Sequence, residues 1–387
     1  MVAVRASGRV PAAPRSAALG PLAGYTVAVA TDRRRHELAR LLEAVGARTV
    51  GVQAVRSVAQ PDVAAIREAN LACVAEPVHE VVVSSAFGLR AWLEVARRSG
   101  HVDSIVARFG QARLLARDAR TADGLRELGL SQIWSTAAAT TEDLFRYLIA
   151  QPMTGRRVVV QLDSEAQREL CQALRTAGAE VVEVATAQAR PPNHMDVLRR
   201  LGDLVIRRQV DAVALTSAAT TDNLLQQAAA DGALGEVLNA LVSDVAAACL
   251  GPLAAAPLRA KGLSPLLAAE AAMDSLVDLL VAELPQRAMV LDVGGHRIEV
   301  RGQGVVIGSQ LVPIQPGPIA VLRALALRPG RVLSAAEIRA LVPTWSAVDD
   351  HAIEMAVSRL RRSLGGTDLE GVELVQTVMR RGYRLAT

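Results

Sequence analysis

The segments TVAVATDRRRHELARLLEAVGA at residues 26–47 and RVVVQLDSEAQRELCQALRTAGA at residues 157–179 follow one pattern. Each begins with a short run of small and β-branched apolar residues, passes through a polar loop and continues with apolar residues at helical spacing. Each then reaches a glycine, Gly46 or Gly178, which is a common helix stop. Glu37 aligns with Glu169 about 132 residues further on, so the sequence predicts a duplicated strand–loop–helix unit.

The same offset relates two further pairs of segments. EVVVSSAFGLRAWL at residues 80–93 matches DAVALTSAATTDNLL at residues 211–225, and residues 114–130 match residues 248–263. Chance similarity between alanine-rich helices could mimic one pair, but not three pairs at one offset. Short Val-rich runs that alternate with helical segments are typical of parallel sheets covered on both faces. We therefore predict an α/β fold with two similar lobes.

Loops of small residues follow the predicted strands, among them the hydroxyl-bearing VSSAFG at residues 83–88 and LTSAATT at residues 215–221, and also LGPLA at residues 250–254. In parallel α/β sheets such loops lie at helix amino termini, where anions bind. The loops contain no Ser/His/carboxylate constellation, no P-loop and no dinucleotide-binding glycine pattern, so catalytic residues stay unassigned. For any single hydroxyl in these loops, capping of the following helix is the simpler expectation.

Taken in order, these segments resemble uroporphyrinogen-III synthase over about residues 24–283. The resemblance implies that the chain leaves the first lobe after one unit, builds the second lobe and returns through a paired linker. Lobe 1 would combine about 24–55 with 188–283, lobe 2 would span about 56–187, and residues 1–23 would form a flexible leader. The family's reaction closes linear hydroxymethylbilane, with inversion of one pyrrole ring and loss of water, in the cleft between the lobes.

The resemblance also implies which residues line that cleft. The candidates are Thr31, Arg33, Ser84, Ser85, Arg168, Thr216, Ser217 and Gly251. The chain departs from the family pattern at Ala187, where a tyrosine is usual, at Thr31-Asp32, where Thr-Arg is usual, and at Gln167-Arg168, where Gly-Arg is usual. The retained loops imply binding of an anionic small molecule such as hydroxymethylbilane or a uroporphyrinogen, whereas the departures leave turnover open.

A different pattern begins after Pro285, with short β-like pieces punctuated by glycines. Ser334 and Glu337 form a predicted capping box ahead of an apolar helix. In DDHAIEMAVSRLRRSLGG at residues 349–366, the apolar residues that recur at helical spacing are Ile353, Val357, Leu360 and Leu364. The opposite face carries His351, Met355, Ser358, Arg359 and Arg362, with Arg361 on its flank. A basic hairpin, VELVQTVMRRGYRLAT, is predicted to close the chain, and Gly382 permits its turn.

This carboxyl-terminal part resembles the OmpR/PhoB-type winged-helix domain over about residues 287–387. The resemblance implies a recognition helix in the major groove of double-stranded DNA and a wing beside it. The implied DNA-binding residues are Ser358, Arg359, Arg361, Arg362, Thr377, Arg380, Arg381 and Tyr383. Departures are Ala356, where a histidine is frequent, and Met379-Arg380, where the wing usually reads Arg-Gly.

Composition limits the remaining possibilities. The 387 residues are 51% apolar and only 2% aromatic, with a formal net charge of +4, so platforms for stacking single-stranded bases are not expected. The three cysteines, Cys73, Cys171 and Cys249, lie among apolar residues, which is typical of buried free thiols in a reducing compartment. The histidines show no metal-ligand spacing, and we expect no metal, no cofactor, no secretory signal and no membrane span. The protein is therefore expected in the cytoplasm.

Two functions remain after these exclusions. One is a DNA-binding transcriptional regulator whose lobes bind an anionic tetrapyrrole-related ligand. The other is an active uroporphyrinogen-III synthase that carries a DNA-binding domain. A phosphorelay response regulator is excluded, because the chain lacks the acidic pair, phosphoacceptor aspartate and strand-end lysine that a receiver domain needs. Dimerisation on DNA and the direction of regulation stay open.

Overall fold

The computed structural model describes residues 19–31, 35–58, 61–135, 141–163, 167–342, 345–365 and 373–386. The candidate Arg33 lies outside these ranges. Residues 19–23, which the sequence assigned to the leader, belong to the fold. Leu22 is fully buried, and its backbone N–H donates to the Val45 carbonyl at 3.0 Å.

Strands and helices alternate through the first two-thirds of the chain, as the sequence pattern predicts. The strands are β1 Thr26–Thr31, β2 Arg48–Gln53, β3 Arg56–Val58, β4 Glu80–Val83, β5 Arg113–Ala116, β6 Ile133–Ser135, β7 Arg157–Leu162, β8 Glu180–Ala185, β9 Gln188–Arg190, β10 Ala212–Leu215, β11 Ala246–Cys249 and β12 Leu266–Leu267. The helices are α1 Arg35–Ala44, α2 Val63–Ala75, α3 Ala86–Arg98, α4 Val102–Phe109, α5 Ala119–Arg126, α6 Thr141–Ile149, α7 Gln167–Thr176, α8 Asp196–Ile206, α9 Ala218–Ala230, α10 Leu234–Ser243, α11 Pro252–Arg259 and α12 Met273–Glu283.

These elements form two five-stranded parallel sheets of equivalent order. Lobe 1 has the order β12-β11-β10-β1-β2, and lobe 2 has the order β6-β5-β4-β7-β8. The aligned glycines adopt matching left-handed conformations, with φ of 96° at Gly46 and 91° at Gly178, and 82° at both Gly129 and Gly262. The duplication and the two-lobed α/β fold predicted from the sequence are thereby confirmed.

A short antiparallel pair joins the lobes, because β3 leaves lobe 1 and β9 returns beside it. Within lobe 1, alternate residues of β1 enter two separate cores: Val27 and Val29 pack on one face of the sheet, and Ala28 and Ala30 on the other. Lobe 2 is built in the same way. Both faces of each sheet are therefore covered, which leaves the ends of the strands for polar chemistry.

The rest of the chain follows a short 3-10 turn at Pro285–Arg287 and shares one apolar core. A four-stranded antiparallel sheet comes first, with β13 Met289–Val293, β14 His296–Arg301, β15 Gly304–Ile307 and β16 Gln310–Pro313. It is followed by α13 Pro316–Ala326, α14 Ala335–Leu341, α15 Asp350–Leu364 and a hairpin of β17 Val375–Val378 and β18 Gly382–Leu385. The capping box of Ser334 and Glu337 forms at α14 as predicted, and this architecture is that of a winged helix.

The winged-helix domain rests on lobe 1 through the turn between β14 and β15. The backbone N–H of Gln303 donates to the Gly24 carbonyl at 2.9 Å, and the Gln303 side chain donates to the Arg208 carbonyl at 3.3 Å. Gly302 has φ of 37° and lies so close to Asp211 that a Cβ there would overlap the carboxylate. The docked turn therefore requires glycine.

All three cysteines are buried free thiols, as the sequence predicts. Burial raises the pKa of Cys73 to about 11 and that of Cys249 to about 12. The thiols are therefore protonated near neutral pH and poor nucleophiles. Among the helices in the described ranges, none combines the length and apolar character needed to cross a membrane.

Gly88 on α3 offers a test of packing in lobe 2. An added Cβ would overlap the Gln161 amide and lie 2.6 Å from the Thr186 hydroxyl. We expect Gly88→Ala to lower the free energy of unfolding by about 1–3 kcal/mol. Gly235→Ala is the matched control, because it sits in α10 with no atom within 4 Å of the new methyl group, and it should be neutral or stabilising. Thermal unfolding of both variants is the measurement, and equal melting temperatures would contradict the packing argument.

Candidate ligand cleft and DNA-binding face

A carboxylate of lobe 2 lies at the amino terminus of a helix of lobe 1. Glu169, in the first turn of α7 and 2% exposed, accepts a hydrogen bond from the backbone N–H of Leu253 at 3.3 Å and another from that of Ala254. Both donors belong to the first turn of α11, whose N-cap residue is Gly251. A helix amino terminus attracts anions because its N–H groups and dipole point toward them. This contact joins the two lobes at the carboxyl ends of their sheets.

The predicted hydroxyls of lobe 1 are buried and bonded to each other. The Thr216 hydroxyl donates to the Thr31 hydroxyl at 2.8 Å, and both side chains are buried. Ser217 caps α9, since its hydroxyl accepts the backbone N–H of Thr220 at 3.3 Å. The simpler expectation of helix capping therefore describes Ser217, while Thr31 and Thr216 hold the ends of β1 and β10 together.

In lobe 2 the predicted serines are organised by Gln161 of β7. The backbone N–H groups of Ser84 and Ser85 donate to the Gln161 Oε1 atom at 3.2 and 3.3 Å. The Gln161 amide in turn donates to the Ser85 hydroxyl at 3.1 Å, and Ser85 caps α3 by accepting the Gly88 N–H. Arg168 pairs with Glu183 at 2.5 Å. These side chains fix the strand ends of lobe 2.

The structure thus brings Thr31 to Thr216 in lobe 1, and in lobe 2 it brings Gln161 to the neighbouring Ser84 and Ser85. Across the lobes it brings Gly251 to Glu169. Sequence reasoning missed Glu169 and Gln161 as members of the site. A glutamine inside a Val-rich strand was the available signal for Gln161, because a buried amide needs partners.

The recognition helix α15 has the predicted two faces. Ile353, Val357, Leu360 and Leu364 are buried in the winged-helix core, and Ser358, Arg359 and Arg362 are exposed. Within the described part of the chain, the guanidinium groups of Arg359 and Arg362 form no hydrogen bond or ion pair. They are free to meet a polyanion.

Arg361 has a different role from its neighbours, because its guanidinium is bonded to the wing. It donates to the Val375 carbonyl at 3.0 and 2.7 Å and to the Thr377 hydroxyl at 2.9 Å. It also pairs with Glu373 at 3.0 Å. Arg361 and Thr377 were both assigned to DNA, and the structure uses them together to set the wing against α15.

The wing presents Arg380 and Arg381 at its exposed tip, between β17 and β18. Arg380 has φ of 59°, a left-handed conformation that favours glycine, and this position is where the family pattern has glycine. Tyr383 is half-buried, and its backbone exchanges hydrogen bonds with Leu333 at 2.8 and 2.9 Å. The tip arginines therefore project from a hairpin that is anchored at its base.

Comparisons with known proteins agree with this two-part architecture. Residues 36–278 match the family model described as uroporphyrinogen-III synthase HemD, and residues 309–385 match the model for the transcriptional regulatory protein, C terminal. The uncharacterized protein YjjA of Bacillus subtilis is 29% identical over 253 residues, which is 63% of this chain and 89% of that protein.

Solved structures that are similar to parts of the chain include a synthase and a DNA-binding domain. Uroporphyrinogen III synthase of the extremely thermophilic bacterium Thermus thermophilus is 26% identical, covering 68% of this chain and 98% of that chain, with a TM-score of 0.35. The DNA-binding domain of CpxR from E. coli is 26% identical, covering 25% of this chain and 96% of that chain, with a TM-score of 0.22.

Two adjacent arginines test the division of roles on α15. Arg361→Ala removes the bonds to the wing and should lower the stability of the winged-helix domain by about 1–3 kcal/mol. Arg362→Ala, its exposed neighbour, should stay within about 0.5 kcal/mol of the parent. Amide hydrogen exchange in residues 374–386 of the full chain measures the effect. Equal exchange rates in the two variants would show that Arg361 does not hold the wing.

Proposed function

The chain belongs to the uroporphyrinogen-III synthase HemD family and ends in an OmpR/PhoB-type DNA-binding domain, and we propose that its lobes sense an anionic tetrapyrrole-related metabolite. The combination of these two domains makes the protein a transcription regulator. The observation that carries the ligand proposal is the Glu169 carboxylate on the amino terminus of α11. A carboxylate already occupies the position that a polycarboxylate ligand needs.

A ligand carboxylate has the same chemistry as the Glu169 side chain and would compete for the N–H groups of Leu253 and Ala254. Exchange of one carboxylate for the other would release α7 from α11 and change the closure of the lobes. Such a ligand shifts the balance between two arrangements by its difference in affinity for them. Competition at α11 therefore couples ligand binding to lobe position.

Two observations favour sensing over turnover. Ala187 stands between β8 and β9 where the family pattern has a tyrosine. Four hydroxyls that a substrate could have met, those of Thr31, Ser84, Thr216 and Ser217, are buried and bonded inside their lobes. The cleft therefore offers a substrate fewer free hydroxyl groups than its sequence suggests.

On the DNA side, Arg359 and Arg362 supply a basic helix face and Arg380 and Arg381 a basic wing tip. A helix of this kind fits the major groove, and arginines at a hairpin tip suit the narrow minor groove. Double-stranded DNA is the partner that this surface fits, and we expect the regulator to act in the cytoplasm.

Turnover is tested directly with hydroxymethylbilane generated enzymatically in the presence of the full chain. The separated products are the type III isomer, which needs a synthase, and the type I isomer, which forms spontaneously. If the chain is a sensor, the ratio of type III to type I product should equal the ratio in a control without protein. Type III product above that control would establish the synthase activity instead.

Glu169→Gln tests the competition at α11. A neutral amide binds helix N–H groups less strongly than a carboxylate, so the variant should bind uroporphyrin, a stable tetrapyrrole polycarboxylate, several-fold more tightly than the parent. Glu94→Gln is the control, because Glu94 pairs with Arg97 and Arg98 on the surface of lobe 2, away from α11. Fluorescence titration gives the dissociation constants. Unchanged or weaker binding by Glu169→Gln would count against the cleft.

The salt dependence of DNA binding tests the recognition helix. When a phosphate-contacting arginine is replaced, DNA binding releases one counterion fewer. Arg362→Ala should therefore reduce the slope of log affinity against log salt by about 0.9. Arg126→Ala, on the surface of lobe 2, should leave the slope unchanged. Duplex titrations of the full chain at several salt concentrations measure both slopes. If the DNA affinity of the parent does not change with salt concentration, the arginine face does not contact DNA.

A further inference from the structure

We propose that a cavity between lobe 1 and the winged-helix domain is a second ligand site, which takes a small organic anion with an apolar body. The cavity has a volume of about 810 Å³, within the range of small-molecule pockets. Tyr25 and Asp211 line it just before β1 and β10 begin. It therefore lies at the amino ends of the lobe 1 strands, at the opposite edge of the sheet from the cleft around Glu169.

The lining carries more positive than negative charge. Its charged residues are Arg207, Arg208, Arg287, Arg323, Asp211 and Asp244. Arg208 is paired with Asp244 at 2.8 Å, and Arg323 lies 3.5 Å from Asp211. Arg207 and Arg287 are exposed, and among the described residues their guanidinium groups form no ion pair. The two Arg–Asp pairs are neutral overall, so the two unpaired arginines leave the cavity with a net positive charge. This charge favours binding of an anion.

Apolar side chains at the same cavity indicate the rest of the ligand. Val242 is 70% exposed and Leu327 is 57% exposed, and both line the cavity. Trp345, which is half-buried, adds an aromatic surface. Large apolar residues left in water beside arginines are typical of a binding site. An inorganic anion would leave these surfaces uncovered, whereas an aromatic carboxylate or sulfonate would cover them.

Tyr25 provides a further polar group. Its side chain is 3% exposed, and among the described residues its buried hydroxyl has no hydrogen-bond partner. Burial raises the pKa of Tyr25 to about 12, so the hydroxyl keeps its proton near neutral pH. Buried hydroxyls are normally paired, and a small shift of the Tyr25 ring toward the cavity would let this one donate to a bound anion.

The site would connect a ligand to the DNA-binding face. Helix α13 lines the cavity with Ile319, Ala320 and Arg323, and it also packs against α15 and β18. An anion held between Arg287 and α13 would brace the docked turn that contains Gly302. If DNA binding alters the docking of the two domains, the ligand and DNA change each other's affinity by the same factor.

The test is a fluorescence titration of the full chain with anilinonaphthalene sulfonate, an aromatic anion. Arg287→Glu should weaken binding roughly tenfold, which corresponds to about 1.4 kcal/mol. Arg328→Glu is the matched control, because this exposed arginine follows α13 but does not line the cavity, and it should bind within about twofold of the parent. Ala320→Trp, which fills the cavity, should abolish binding.

Glu169→Gln distinguishes this site from the cleft, since it should leave the affinity for the probe unchanged. If Ala320→Trp does not fold, the exposed Arg287→Glu still decides the question. Equal affinities of the parent, Arg287→Glu and Arg328→Glu would overturn the proposal, as would tighter probe binding in Glu169→Gln alone, because it would place the probe at the cleft. Neither result would contradict the proposed sensing of tetrapyrroles at α11.

Discussion

Burial of the central strands on both faces is the constraint from which the rest of the molecule follows. In β1, β4, β7, β10 and β11 every residue is buried, so polar chemistry is confined to the strand ends. The carboxyl ends of the two sheets meet at Glu169 and α11. The amino ends of the lobe 1 sheet meet the winged-helix domain. The interlobe contact and the domain joint thus lie at opposite ends of the strands of one sheet.

The duplicated lobes differ at one informative position. In lobe 2, Asp118 is the N-cap of α5, and its own carboxylate accepts the Thr121 N–H at 2.8 Å. The equivalent residue of lobe 1 is Gly251, which has no side chain to cap α11. Loss of a local cap leaves backbone donors for a carboxylate from elsewhere, and Glu169 of the other lobe supplies it. The asymmetry between two copies of one unit therefore creates the interlobe contact.

The fold was largely predictable from the sequence, because strand order and helix faces depend on patterns within short segments. The repeat, the capping box of Ser334 and the apolar stripe of α15 are all of this kind. The contacts of Glu169 and Gln161 were not predictable, because their partners lie 84 and 77 residues away. Arg361 and Arg362 show the same limit. They are neighbours in sequence, but the position of the wing determines that Arg361 is hydrogen-bonded to it and that Arg362 is exposed.

Gly302 has a consequence for how such a protein can vary over evolution. The turn that docks onto lobe 1 tolerates a hydrogen atom, but not a methyl group, beside Asp211 and the Gly24 carbonyl. The residue touches neither the cleft nor the recognition helix. Any substitution at this one codon would therefore disturb the docking of the two halves while it leaves the residues of the cleft and of the recognition helix unchanged. Selection that maintains the docked joint would then keep glycine at this position, although the residue contacts neither the cleft nor the recognition helix.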